Sequence, residues 1–140
     1  MRKGILFIAI LHLIISCVSG TKNNSGYSTR DTIDIYQKML DYPGLKKEFA
    51  RVEADTFHVI LNKNFKRGYK LSFGSKKVVP IDIKDTSRKN TYSFSFETLV
   101  IKSDSASCLF KSEDAGYMGL GRLKKSGGNW EIVKYEWVRF

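Results

Sequence analysis

Histidine and cysteine are scarce in this chain, with two of each among 140 residues. His12 falls inside an N-terminal apolar run, so His58 is the one histidine left for the remainder. Zinc sites are built from clustered cysteine and histidine ligands, and this inventory cannot supply such a set. A serine-histidine-carboxylate triad would have to use His58, near Asp55, yet no Gly-x-Ser-x-Gly elbow offers a nucleophile. Asp82, Asp85, Asp104, Glu113 and Asp114 lack the spacing of a calcium-binding loop and read as turn carboxylates. The sequence therefore nominates no catalytic residue, no metal ligand set and no cofactor. Long apolar runs are missing as well. The longest, residues 5–15, falls short of the roughly 20 residues that cross a bilayer.

That short run has a different reading. Arg2 and Lys3 precede it, Ser16-Cys17 closes it, and Ser19-Gly20-Thr21-Lys22-Asn23-Asn24-Ser25-Gly26 follows. A basic start, an apolar core and a small-residue end are the order of a secretory signal peptide. Ile14-Ile15-Ser16-Cys17 resembles the bacterial lipobox, with isoleucine where leucine is usual. The resemblance implies that residues 1–16 are removed and that Cys17 becomes an acylated mature terminus. Ordinary cleavage after Ser19 or Gly20, releasing a soluble secreted protein, is the alternative. Residues 17–30 are rich in Ser, Asn, Gly and Thr and cannot bury a core, so they read as a flexible tether.

Removing residues 1–16 leaves about 124, enough for one domain with a single core. Residues 1–16 hold two of the 24 basic residues and none of the 14 acidic ones, so the mature chain carries 22 minus 14, or +8. The basic residues come as scattered pairs, such as Lys66-Arg67 and Lys124-Lys125, beside turn signals. That pattern is solvated loop charge. It suits an anionic envelope component or a protein partner, and nucleic acid ranks last for an exported chain. Cys108 shares the alternating face of Ala106 and Phe110 and reads as a buried thiol without a disulfide partner.

Residues 31–140 read as one α+β domain. Ile33, Tyr36, Met39 and Leu40 recur at helical spacing, with Asp31 as the expected N-cap. Pro43-Gly44 interrupts, and Leu45, Phe49 and Val52 predict a second short helix. From Asp55 the period becomes two: Phe57, Val59 and Leu61, then Tyr69, Leu71 and Phe73, then Tyr92, Phe94 and Phe96. Pro80 marks an edge strand or bulge in residues 78–83, because proline cannot donate to a ladder. Leu99-Val100-Ile101 breaks the alternation, so either a bulge re-aims the strand or both faces are covered there. Residues 85–90 read as a polar loop. Strands at about 104–111, 117–125 and 130–138 form a closing meander. The expected fold is one or two N-terminal helices on a curved, mainly antiparallel sheet.

The turn Gly127-Gly128 suits a two-residue hairpin, where both central positions need positive φ. Regular pairing from that turn sets Lys124 opposite Glu131, Arg122 opposite Val133, Leu120 opposite Tyr135 and Met118 opposite Trp137. Met118, Leu120, Val133, Tyr135 and Trp137 are then the core face. Gly119 and Gly121 fall on the solvent face, as a thin surface or a candidate ligand floor.

Tyr92-Ser93-Phe94-Ser95-Phe96, Ala106-Ser107-Cys108-Leu109-Phe110, Gly119-Leu120-Gly121, Lys124-Lys125 and Gly128-Asn129-Trp130 occur in this order, with Glu131-Ile132-Val133-Lys134 and Trp137 closing the set. Over residues 92–140 the chain resembles small bacterial envelope lipoproteins ending in a Gly-x-Gly strand and a Trp-containing hairpin. It is more loosely similar to cystatin-like and nuclear-transport-factor-like cones, which implies a helix packed on a curved sheet. Two function classes follow. One is a lipid-anchored, non-enzymatic binding module of the cell envelope. The other is a small cone-fold enzyme whose pocket between helix and sheet would use His58, Asp55 or tyrosines. The direction in which His58 and an acid point discriminates them.

Overall fold

The computed structural model describes residues 27–84 and 92–140. The expected signal segment, Cys17, the expected tether up to residue 26 and the expected loop at 85–90 lie outside the described residues. Helix α1 spans Thr29–Asp41 and α2 spans Pro43–Phe49. Seven strands follow: β1 Thr56–Ile60, β2 Ser72–Phe73, β3 Lys76–Ile81, β4 Tyr92–Lys102, β5 Ser105–Ser112, β6 Tyr117–Ser126 and β7 Asn129–Arg139. They form one curved sheet in the order β2-β3-β1-β4-β5-β6-β7. β1 pairs in parallel with β3 and with β4, and the other neighbours are antiparallel. The fold is α+β, with the N-terminal helices packed against the sheet.

Helix α1 begins two residues before the expected cap. Ser28 is the N-cap, and its hydroxyl accepts from the Asp31 backbone N–H at 3.1 Å. Asp31 thus sits inside the first turn, where a carboxylate is favoured by the free N–H groups. The apolar face is Ile35, Tyr36, Met39 and Leu40, all buried. Tyr42 links the two helices, and Pro43 opens α2, where a missing N–H costs nothing.

An aromatic core fills the space between helices and sheet. Tyr36 stacks on Phe96 with ring centroids 4.0 Å apart, and Phe49 meets Phe57, Phe73, Phe110 and Tyr117 edge-on. Such contacts add about 0.5–1.5 kcal/mol per pair beyond burial. Of the two readings of the phase break at Leu99, a bulge is the one observed, between Phe96 and Thr98. It is held from the segment after β1. Asn62 Nδ2 donates to the Phe96 carbonyl at 3.1 Å and Asn64 Nδ2 to the Glu97 carbonyl at 2.6 Å. Side-chain amides thereby satisfy carbonyls at the interrupted ladder. Pro80 also finds its expected setting, since β2 covers only Lys76 and Lys77 of β3.

The hairpin of β6 and β7 keeps its turn and changes its register. Gly127 and Gly128 have φ of 55° and 84°, and Lys124 faces Glu131 as expected. A second bulge then intervenes. Leu123 pairs with Ile132 while Arg122 pairs with Lys134, so Val133 is the extra residue. Beyond it the expected pairs are each off by one: Gly121 faces Tyr135 and Gly119 faces Trp137. A slip of one residue exchanges the two faces of a strand. Gly119 and Gly121 accordingly belong to the buried face of β6, together with Tyr117 and Leu123. Met118 and Leu120 lie on the other side, and Val133 and Trp137 are exposed rather than core. The fully buried tryptophan is Trp130.

Candidate functional site

Side-chain chemistry gathers at two places along the β6–β7 hairpin. Near the turn, Asp31 in the first turn of α1 accepts from Lys125 Nζ at 2.6 Å and from Trp130 Nε1 at 2.9 Å. Lys125 also lies over the Trp130 ring, 5.6 Å from its centroid. The lysine bond, then the indole bond, hold the Asp31 carboxyl below its ordinary value. This group clasps the start of α1 to the hairpin and leaves no titrating acid near neutral pH. Tyr27 fastens the same end, because its hydroxyl accepts from the Ser103 N–H at 2.7 Å.

At the far end, a tyrosine cluster covers the two glycines. A Cβ at Gly119 would collide with the Tyr135 hydroxyl, and one at Gly121 with the Met39 sulfur. The glycines admit Tyr135 and Met39 rather than leave a floor open to solvent, which corrects the solvent-face reading. Tyr117 and Tyr135 join hydroxyls at 3.2 Å. Tyr42 stacks on Tyr135 at 4.1 Å, and Tyr117 stacks on Trp137 at 5.6 Å. An Arg139–Glu48 ion pair ties β7 to α2 beside them. Burial pushes the Tyr117 and Tyr135 phenols up. They stay protonated across the physiological range and act as hydrogen-bonding and stacking groups.

His58 is not part of either cluster. Its neighbours in β1, Phe57 and Val59, point into the core, so His58 faces the opposite side of the sheet. Its register partners are Val79 and Ser93, and its Nδ1 is buried without a hydrogen bond. Asp55 is exposed just before β1. Cys108 is fully buried on the core side, and burial pushes its thiol up. Histidine and cysteine therefore lie on opposite faces of the sheet and cannot form a reactive pair. Among the described residues, no group of three or more His, Cys, Asp and Glu could hold a metal ion. Asp114 sits in the turn between β5 and β6, as expected, but its carboxylate serves β4, accepting from the Ser93 N–H at 2.8 Å and hydroxyl at 2.6 Å.

The Asp31 clasp and the tyrosine cluster are absent from the sequence reading because each joins residues far apart in the chain. The β7 bulge did leave a local trace. Ile132-Val133 are adjacent apolar residues in an alternating strand, the kind of phase break that marked the bulge before Leu99. Comparison of the chain with protein-family models, curated proteins and solved structures finds no match.

Proposed function

We propose that the protein is an exported, lipid-anchored and non-enzymatic binding module of the bacterial cell envelope. The observation that carries this reading is the order Arg2-Lys3, apolar residues 5–15 and Ile14-Ile15-Ser16-Cys17 at the N-terminus. Cys17 is the acylation site, and the membrane is reached through its lipid. The net charge of +8 on the mature chain favours an anionic envelope component or an acidic protein surface as the partner. The site chemistry supports binding over catalysis. His58 faces away from the helix-covered side, and the space between helix and sheet holds packed aromatic rings. The clustered phenols of Tyr117 and Tyr135 are raised, suited to contact and poorly suited to general base work.

Fractionation and mass measurement test the reading. The native mature chain should begin at Cys17 with acyl mass and stay on membranes through salt washing, since several acyl chains hold firmly. Cys17→Ser should move it to the soluble fraction. A native terminus at Gly20 or Thr21 without acyl mass would replace this proposal with a soluble secreted protein.

A further inference from the structure

β7 is the last strand of the sheet, and among the described residues no strand lies along its far edge. It runs for 11 residues, about twice the usual strand length. Exposed edges of that length are templates for pairing, and proteins blunt them with prolines, bulges or charges. β7 has no proline. Four large apolar side chains are exposed among the described residues, and three belong to this edge: Val133 at 64%, Trp137 at 48% and, one residue past the strand, Phe140 at 67%. The charges here are ordered about Tyr135. Lys134 precedes it, Glu136 follows it, and the two form an ion pair of 3.0 Å on the face away from the helices.

We propose that the free edge of β7 pairs antiparallel with the same edge of a second copy of this chain, about a twofold axis at Tyr135. In that register Lys134 of each copy lies opposite Glu136 of the other, giving four charges of alternating sign. Val133 of each copy lies opposite Trp137 of the other, and two exposed apolar groups are covered together. Centring the axis on Lys134 or on Glu136 would set like charges directly opposite, which destabilises a cross-strand pair. Of these three centres, the charge pattern favours Tyr135. The interface is isologous, so both β7 edges are consumed and assembly closes at two copies. This association goes beyond the binding role above and does not depend on lipid or on an outside partner.

The test uses the full chain, purified from its native host, with sedimentation velocity across a concentration series. A dimer is expected. Lys134→Glu and Glu136→Lys should each raise its dissociation constant at least about tenfold, because each places like charges opposite. The double exchange K134E/E136K should restore it. Lys134 is exposed and Glu136 half-buried on the face away from the helices, and thermal melts of the same variants check that they fold. Register is read separately. Differently tagged Lys134→Cys and Glu136→Cys copies, once mixed, should form a disulfide with each other and neither with its own kind. A chain that stays monomeric throughout, single reversals without effect, a double exchange that fails to restore, or like-with-like crosslinking would each overturn the proposal.

Discussion

Trp130 and Trp137 lie on one strand, seven residues apart, and the two ends of the β6–β7 hairpin treat them differently. At the turn end, Trp130 is 1% exposed, its indole N–H bonded to Asp31 and its ring under Lys125. At the open end, Trp137 is 48% exposed and rests on Tyr117 alone among the aromatic rings. Seven residues of regular strand would put the two on opposite faces. The extra residue Val133 brings both to the helix side, yet only the turn end is roofed by α1. The lesson is that sharing a face does not confer burial. The covering element decides it.

The largest expected effect breaks this comparison at its buried end. Trp130→Ala should destabilise the domain by about 3–5 kcal/mol, as for other buried large-to-small changes. That is a substantial share of the roughly 5–15 kcal/mol that stabilises a domain. A denaturant melt reads it directly, and a near-silent variant would mean that the Asp31 clasp is not formed in solution.

Next come the glycines. Gly119→Ala and Gly121→Ala push a methyl into Tyr135 and Met39, and overpacking of this kind costs about 1–3 kcal/mol. The sign is the informative part. On a solvent-facing strand, replacing glycine by alanine would stabilise by relieving chain entropy. Stabilisation of either variant would therefore refute the bulged register.

Trp137→Ala should cost about 1 kcal/mol, the worth of its stacking on Tyr117, and so separate clearly from Trp130→Ala. Equal losses at the two tryptophans would show that the open end is covered in solution. Concentration dependence of the Trp137 value would identify the second copy as the cover.

The smallest effect is electrostatic. Asp31 is held below its ordinary value of 3.8 by Lys125 first and Trp130 second. A lowered carboxyl contributes stability that is present above its unfolded value and lost as pH falls through the folded one. Asp31→Asn should therefore be less stable than wild type near neutrality. The gap should narrow as pH drops below about 4. Melts between pH 7 and pH 2 would show it, and a gap that persists unchanged in acid would assign the loss to hydrogen-bond geometry instead of charge.

Much of the architecture was legible from local pattern. Helical spacing at Tyr36, Met39 and Leu40, alternation from Phe57 onward, the phase break at Leu99 and the two glycines of the last turn all act over a few residues. Each therefore leaves a trace in the sequence. The site was far less legible. Tyr42, Tyr117 and Tyr135 meet from α2's leading edge, β6 and β7, and Asp31 meets Lys125 and Trp130 across 94 and 99 residues of chain.

The sequence by itself determined the helices-then-strands order, the tight turn at Gly127-Gly128 and the buried thiol at Cys108, because propensity and periodicity are properties of neighbouring residues. Only the tertiary structure decided which face of β6 is the inside. Regular pairing counted from the turn would leave Gly119 and Gly121 in solvent. The bulge at Val133 turns the far half of β7 over, so Tyr135 fills the space above one glycine while Met39 fills it above the other. That choice rests on the packing of a helix side chain and a strand side chain into a common volume, which no local pattern records.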